Sequence, residues 1–198
     1  QVSADHYEFH HLIEDPPMLW LSENLGAGAR VGFDSRMHSY SWYEESRQLL
    51  TKQEIELVEI SQNPIDKHWQ DRPEASQSLA LLLSEAFTGE SSPSKRQRIG
   101  EEIGRLDADI ALITQLDSIA WLLNIRGADV PRLPVLLSFA TLNKHGQVVL
   151  YTDLRKLTND FSSHVGDGVT IQNFEELQSA LETMGNGGLK VLADPLTA

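Results

Sequence analysis

Between residues 117 and 134 an apolar helical pattern runs into two prolines, and this limits the possible folds more than any other stretch. Ile119, Leu122, Leu123 and Arg126 fall at helical spacing, and Ala120 and Trp121 widen the apolar face. Gly127 then opens a loop that carries Asp129, Pro131, Arg132 and Pro134. A proline fixes its own φ and pushes the residue before it toward extended geometry, so the helix has to stop here. A buried scaffold thus delivers a stiff Arg-Gly-x-Asp loop, a kind of place that often carries function. The plainer reading is a helix-to-strand connection whose arginine pairs with a neighbouring aspartate.

The rest of the chain alternates helix and strand signals. Asp15 before Pro16-Pro17 reads as a helix start, and that helix runs through Trp20-Leu21 to Gly26-Ala-Gly28. Residues 29–33 read as a buried strand, 39–52 as a helix and 55–60 as a second strand. Asn63-Pro64 opens a short helical segment to Trp69, and Asp71-Arg72-Pro73 breaks it. Residues 71–93, with Gly89, Pro93 and several serines, read as a linker whose apolar run 79–83 docks on one of the domains. Ser94 is the expected cap of a helix over 95–106 that buries Ile99, Ile103 and Leu106. A strand over 109–113 precedes the organising helix. Strands over 135–142 and 147–152 follow it, joined as a hairpin by Asn143-Lys-His-Gly146. Asp153 caps a helix through Leu157, and 169–171 reads as a short strand. Residues 174–184 form a helix stopped by Gly185-Asn-Gly-Gly188, and 189–193 is the last strand. The expected class is α/β, a mixed sheet flanked by helices.

Composition removes several classes of function. The net charge of -13 repels phosphate backbones and anionic lipid, so nucleic acid and membrane are not expected partners. The absence of cysteine excludes disulfides, thiolate metal sites and thiol nucleophiles, and fits a reducing compartment. No apolar run approaches the ~20 residues of a membrane span.

The chemical motifs are weak. His6 and His10 have i, i+4 spacing beside His11, Glu8 and Glu14, but the glutamate of His-Glu-x-x-His is missing, so a polar face is the better reading. Gly26-Ala-Gly28 precedes a strand instead of following one, and 185–188 sits at a helix end that repels anions. Paired acids such as Glu101-Glu102 read as solvated faces. Trp20, Trp42, Trp69 and Trp121 read as core or junction anchors before they read as a ligand stack.

The run Asp117-Ser-Ile-Ala-Trp-Leu-Leu-Asn-Ile-Arg-Gly-Ala-Asp-Val-Pro131, with Pro134-Val-Leu-Leu-Ser-Phe-Ala140 and Leu150-Tyr-Thr-Asp153, resembles the second domain of three-domain Xaa-Pro aminopeptidases, in the creatinase/prolidase "pita-bread" group. Ile65-Asp-Lys-His-Trp-Gln-Asp-Arg-Pro73 is similar to that family's junction between its first two domains. Asp15-Pro-Pro-Met-Leu-Trp20 and Val31-Gly-Phe-Asp34 are similar to the later part of its first domain. The resemblance implies creatinase N-terminal-like domains with a ribonuclease H-like motif, one partial copy (1–70) and one complete copy (94–198), separated by the linker 71–93. It implies Trp69, Asp71, Arg72 and Pro73 as junction residues, and Arg126, Asp129 and Arg132 as candidates for facing substrate.

The family removes an N-terminal residue that precedes proline. It uses two divalent ions, usually manganese, held by two aspartates, a histidine and two glutamates in a third domain. No such ligand set is matched here, so the expectation is a cytoplasmic parent metalloaminopeptidase of which this stretch binds no metal and does no chemistry alone. The expected partners are the parent's C-terminal catalytic domain, short proline-containing peptides and a second subunit. A prolidase or creatinase-type accessory domain, or a free-standing α/β binding module, are the alternatives.

Overall fold

The computed structural model describes residues 2–198, and the chain divides into two compact units, one ending at Arg72 and one running from Pro73 to Ala198. The first unit contains α1 (Pro17–Asn24), β1 (Arg30–Phe33), α2 (Tyr40–Thr51), β2 (Glu56–Glu59) and α3 (Pro64–His68). Strands β1 and β2 pair in parallel, from Arg30 opposite Glu56 to Phe33 opposite Glu59, with α2 as the crossover. Local chemistry sets the helix starts. The Ser39 hydroxyl accepts from the Trp42 N–H at the start of α2, and Asn63 Oδ1 accepts from the Ile65 N–H at the start of α3. Asp15 does not cap α1. That helix begins at Pro17, whose missing N–H costs nothing in the first turn, and the Asp15 carboxylate is bound by the His10 ring instead.

The second unit contains β3 (Leu81–Leu82), α4 (Glu85–Thr88), α5 (Ser92–Arg105), β4 (Ile110–Ile113), α6 (Leu116–Leu123) and β5 (Ile125–Arg126). After these come β6 (Ser138–Asn143), β7 (Val148–Thr152), α7 (Phe161–Val165), β8 (Val169–Asn173), α8 (Glu176–Asn186) and β9 (Val191–Leu192). Five strands form one mixed sheet in the order β8-β7-β6-β4-β9. β6 is antiparallel to both its neighbours, whereas β7–β8 and β4–β9 are parallel. Ile103, Ile119, Leu123, Leu142, Leu150 and Phe161 fill the core where α5, α6 and α7 cover the sheet.

Four expectations shift for physical reasons. α5 starts at Ser92, with Ser91 as its cap, because Pro93 is tolerated in the first turn; the Ser94 hydroxyl donates to Glu90 instead. Leu106 lies beyond the helix end and is exposed, and the inward face is made by Lys95, Arg96, Gly100 and Ile103. β6 begins at Ser138 because the backbone ahead of it is already engaged: the Val135 carbonyl accepts from Asp129 N–H, and the Leu137 N–H donates to Asp129 Oδ2. The stretch 71–93 contributes structure to the second unit. Ala80 is buried with its N–H on the Lys156 carbonyl, and β3 pairs antiparallel with β5. Strands of two residues leave no period to read.

Gly127 explains the Arg-Gly step in the organising stretch. A Cβ there would lie 2.5 Å from the Val135 carbonyl oxygen and 2.7 Å from Leu136 Cα, both backbone atoms that cannot swing aside. Gly127→Ala is therefore expected to lower the urea midpoint, by about 1–3 kcal/mol of stability, the range for forced overpacking. An unchanged midpoint would show that the two segments are free to part.

Candidate functional site

The loop from Gly127 to the start of β6 holds two of the three residues that the sequence singles out, Asp129 and Arg132, and the third, Arg126, ends β5 just before it. At its tip, the Leu133 N–H donates to the Val130 carbonyl, closing a turn with Pro131 and Arg132 in the middle. Proline suits the first central position of such a turn. The second needs a positive φ, and Arg132 adopts one (67°) where glycine or asparagine is the ordinary choice. The Arg132 side chain is exposed, so a strained residue holds a cation at the surface.

Asp129 points the other way. Its carboxylate is 0% exposed and lies 2.9 Å from the Lys156 ammonium, itself only 3% exposed. The second carboxylate oxygen accepts the Leu137 N–H at 2.7 Å. This aspartate clasps the loop to the segment after β7 and does not offer its charge to the surface. Arg126 does not pair with Asp129. Its Nη1 donates to the carbonyls of Ile125 (2.8 Å) and Ala120 (3.3 Å), which fixes the half-buried side chain at the C-terminal end of α6.

The scaffold under the loop depends on Asn124, which ends α6 in the left-handed region (φ 55°). Lys95, buried on α5, donates to Asn124 Oδ1 (2.6 Å) and to the Trp121 carbonyl (3.0 Å), with its ammonium 4.5 Å from the Trp121 ring centre. Burial pushes the Lys95 ammonium below the usual lysine range. Lys95 was legible in hindsight, because 95, 99 and 103 share one helix face. Lys156 had no signal beyond its place after Asp153-Leu-Arg155.

A cleft of about 750 Å³ opens beside the carboxyl ends of β7 and β8, lined by Leu116, Phe139, Arg155, Asn173, Phe174 and Glu175 among others. Asp153 caps a single 3-10 turn there, receiving the Arg155 N–H and both Nε and Nη2 of the same side chain. Those bonds from Arg155 hold the Asp153 carboxyl down to about 2. In the first unit Asp34 repeats the arrangement: Arg36, aided by Asn63, holds its carboxyl to about 2.

The junction residues fall at the boundary between the units. Arg72 donates to Asp66 at 2.8 Å and lies 5.6 Å from the Trp69 ring centre, Asp71 is exposed, and Pro73 opens the second unit. The tryptophans do not stack on one another among the described residues. Trp42 meets His38 and Phe33, and Trp20 meets His10. Nor, among the described residues, does any group of three or more His, Cys, Asp or Glu side chains stand ready to hold a metal ion.

Asp129→Ala would strand the buried Lys156 ammonium, so a loss of about 3–5 kcal/mol in urea unfolding is expected. A loss below 1 kcal/mol would mean that the ammonium reaches water. For Asp153, a folded carboxyl near 2 lies below the ordinary value of about 3.9. Its contribution is therefore complete above pH ~4 and disappears as pH falls toward 2. The Asp153→Asn protein should lose less stability between those pH values than the parent in paired thermal melts. Equal slopes would remove Asp153 from the acid transition.

The family profile for the creatinase/prolidase N-terminal domain matches residues 71–198. Xaa-Pro aminopeptidase 1 of Dictyostelium discoideum is 33% identical over 184 residues, covering 89% of this chain and 29% of that protein. Xaa-Pro aminopeptidase ApepP of Drosophila melanogaster is 32% identical over 146 residues, covering 73% and 24%. Among solved structures, the X-prolyl aminopeptidase of Caenorhabditis elegans, described as a cytosolic enzyme with a di-nuclear active site, matches with a TM-score of 0.82 at 25% identity, covering 91% of this chain and 30% of that one. This chain thus spans under a third of the length of these relatives. With the profile matched over more than half of its residues, the chain belongs to the creatinase/prolidase N-terminal domain family.

Proposed function

We propose that this chain is a non-catalytic part of an Xaa-Pro aminopeptidase, the metal-dependent hydrolase that removes an N-terminal residue preceding proline. The observation that carries the reading is the coverage. Nearly all of this chain aligns with Xaa-Pro aminopeptidases, yet it accounts for only 29% of the Dictyostelium protein. The described residues offer no donor set that fits the di-nuclear centre named for the nematode enzyme. By family likeness the two metal ions, manganese, sit in the catalytic domain of the parent. No catalytic step is assigned to residues here.

The role of these residues is to border the active site of the parent, restrict entry to short proline-containing peptides and support a homodimer in the cytoplasm. What supports this is the loop after α6. It is stiffened by prolines and clasped by the buried Asp129–Lys156 pair, it holds Arg132 in a strained, exposed position, and it follows Arg126, which the Ile125 carbonyl fixes. An exposed cation on so stiff a backbone suits a carboxylate, on a peptide or on the catalytic domain. Asp129 serves as the clasp of the loop that bears Arg132.

The test uses the full-length parent. Arg132→Ala should lower kcat/KM for short Xaa-Pro peptides by about tenfold or more, the loss of one charge-assisted hydrogen bond, with an unchanged melting temperature, whereas Arg126→Ala should lower kcat/KM and also the melting temperature, because it removes the donor to the Ala120 and Ile125 carbonyls. Unchanged kcat/KM together with unchanged assembly would overturn the bordering role.

A further inference from the structure

The cleft of about 750 Å³ at the carboxyl ends of β7 and β8 takes no part in the roles assigned above. Its floor is apolar. Successive residues of a strand point to opposite faces, so Phe139 lies on the face of β6 away from Ala140 and Leu142, which enter the core. Phe174 follows β8 and meets Phe139 with ring centres 5.1 Å apart and planes at 50°. Leu116 and Leu137 extend this floor. Phe174 and Leu137 remain 41% and 39% exposed, which leaves an apolar corner open to solvent.

The charges around the cleft divide into those already committed and those not. Lys156 is paired with Asp129, and Arg155 gives its Nε and Nη2 donors to Asp153, so these four charges cancel. Glu175 lines the cleft, is exposed, and makes no side-chain cap on α8. Glu74 is also exposed and adjoins Ala75, another lining residue. Among the described residues neither glutamate forms an ion pair. Both stand near the Arg155 guanidinium, which Asp153 first, and then Glu74 and Glu175, hold above the ordinary arginine range. The mouth of an apolar cleft therefore carries two uncommitted carboxylates, on a chain of net charge -13.

We infer that this cleft is a receptor for an arginine side chain on a peptide segment, with the stem laid on the Phe139–Phe174 corner and the guanidinium on Glu74 and Glu175. A guanidinium is planar and weakly hydrated, stacks on aromatic faces, and meets carboxylates with paired N–H groups, none of which a lysine ammonium does as well. The arginine stem covers apolar surface while its head stays in water. Arg155 shows the preference within the chain itself, since its guanidinium already lies in the field of these acids. A neutral apolar ligand would leave both carboxylates unpaired, and an anion would be repelled by them. The cleft binds and performs no reaction.

The test is fluorescence anisotropy on the full-length parent with the peptide Gly-Gly-Arg-Gly-Gly, its amino end blocked by the dye and its carboxyl end amidated. Such a peptide has no free amino terminus and no proline, so an aminopeptidase of the proposed kind cannot cleave it, and its binding stands or falls separately from that activity. Citrulline in place of the arginine keeps the shape and removes the charge. The arginine peptide is expected to bind about tenfold more tightly than the citrulline peptide, the worth of one charge-assisted contact. Equal binding overturns the inference. Glu74→Gln with Glu175→Gln should abolish the preference, with an unchanged melting temperature because both side chains are exposed. The control is Glu101→Gln with Glu102→Gln, the same change of charge on α5 at the other end of the strands, where Gly100 meets the β6–β7 turn. If the control pair lowers the preference as much, or the cleft pair leaves it intact, the acidic surface at large gathers the arginine and the inference is overturned. Phe174→Ala should weaken the arginine peptide by about threefold, a cation–π contact at an exposed site. Unchanged binding there removes the aromatic corner and with it the cleft as the seat.

Discussion

The end of α6 is the point on which the second unit depends. A helix that terminates among packed elements leaves carbonyls that water cannot reach, and each needs a donor. Lys95 supplies one to Trp121 from the neighbouring helix, Arg126 supplies one to Ala120, and the N–H of Asn124, turned left-handed, reaches both carbonyls. Its side-chain amide donates to the Glu90 carbonyl, and its own carbonyl accepts from Leu83 N–H and lies 3.0 Å from His164 Nε2. The segment before α5, the strand β3 and the short helix α7 are thereby referred to one residue. Without that termination β5 would not leave α6 in register with β3, and Arg126 would have no fixed place.

The same solution recurs wherever this unit buries charge. Arg96 reaches the carbonyls of Gly146, Val165 and Asp167, joining the β6–β7 turn to the loop before β8, and burial pushes its guanidinium below the ordinary arginine range. Gly100 lets α5 approach that same turn, where a Cβ would lie 2.9 Å from the Gly146 nitrogen. Lys156 closes the loop after β5 through Asp129. A buried ion pair is a costly way to gain stability, but it specifies geometry when every remaining lone pair is directed. The arginine loop thus has a defined position because cations beneath it are committed to named oxygens.

Much of this could be read from residue order. The α/β rhythm, the β6–β7 hairpin at Asn143-Lys-His-Gly146 and the caps at Ser39 and Asn63 follow from local chemistry that acts over a few residues. The stop after α6 was legible for the same reason. What could not be read depends on partners far away in the chain. Ser94 and Ser91 are equally good caps until Pro93 has to be placed. Strands β3 and β5 exist only because each has the other. Asp129 carries an outward-looking motif, and only Lys156, which nothing local connects to it, turns the carboxylate inward. Arg132 was singled out for its charge, whereas its left-handed backbone comes from the turn closed by Val130 and Leu133.

Lys95 and Arg96 are held by carbonyl and amide oxygens, not by carboxylates, so the interior withdraws two cations without taking an acid with them. The skin that solvent meets is accordingly more anionic than the formal charge of -13 states. Such a surface gathers a dense cloud of counterions and keeps copies apart in dilute buffer. That standoff shrinks as added salt shortens the screening length, which is about 10 Å at 0.1 M. The colloidal behaviour of the chain is therefore shaped by two cations that are almost wholly withdrawn from solvent.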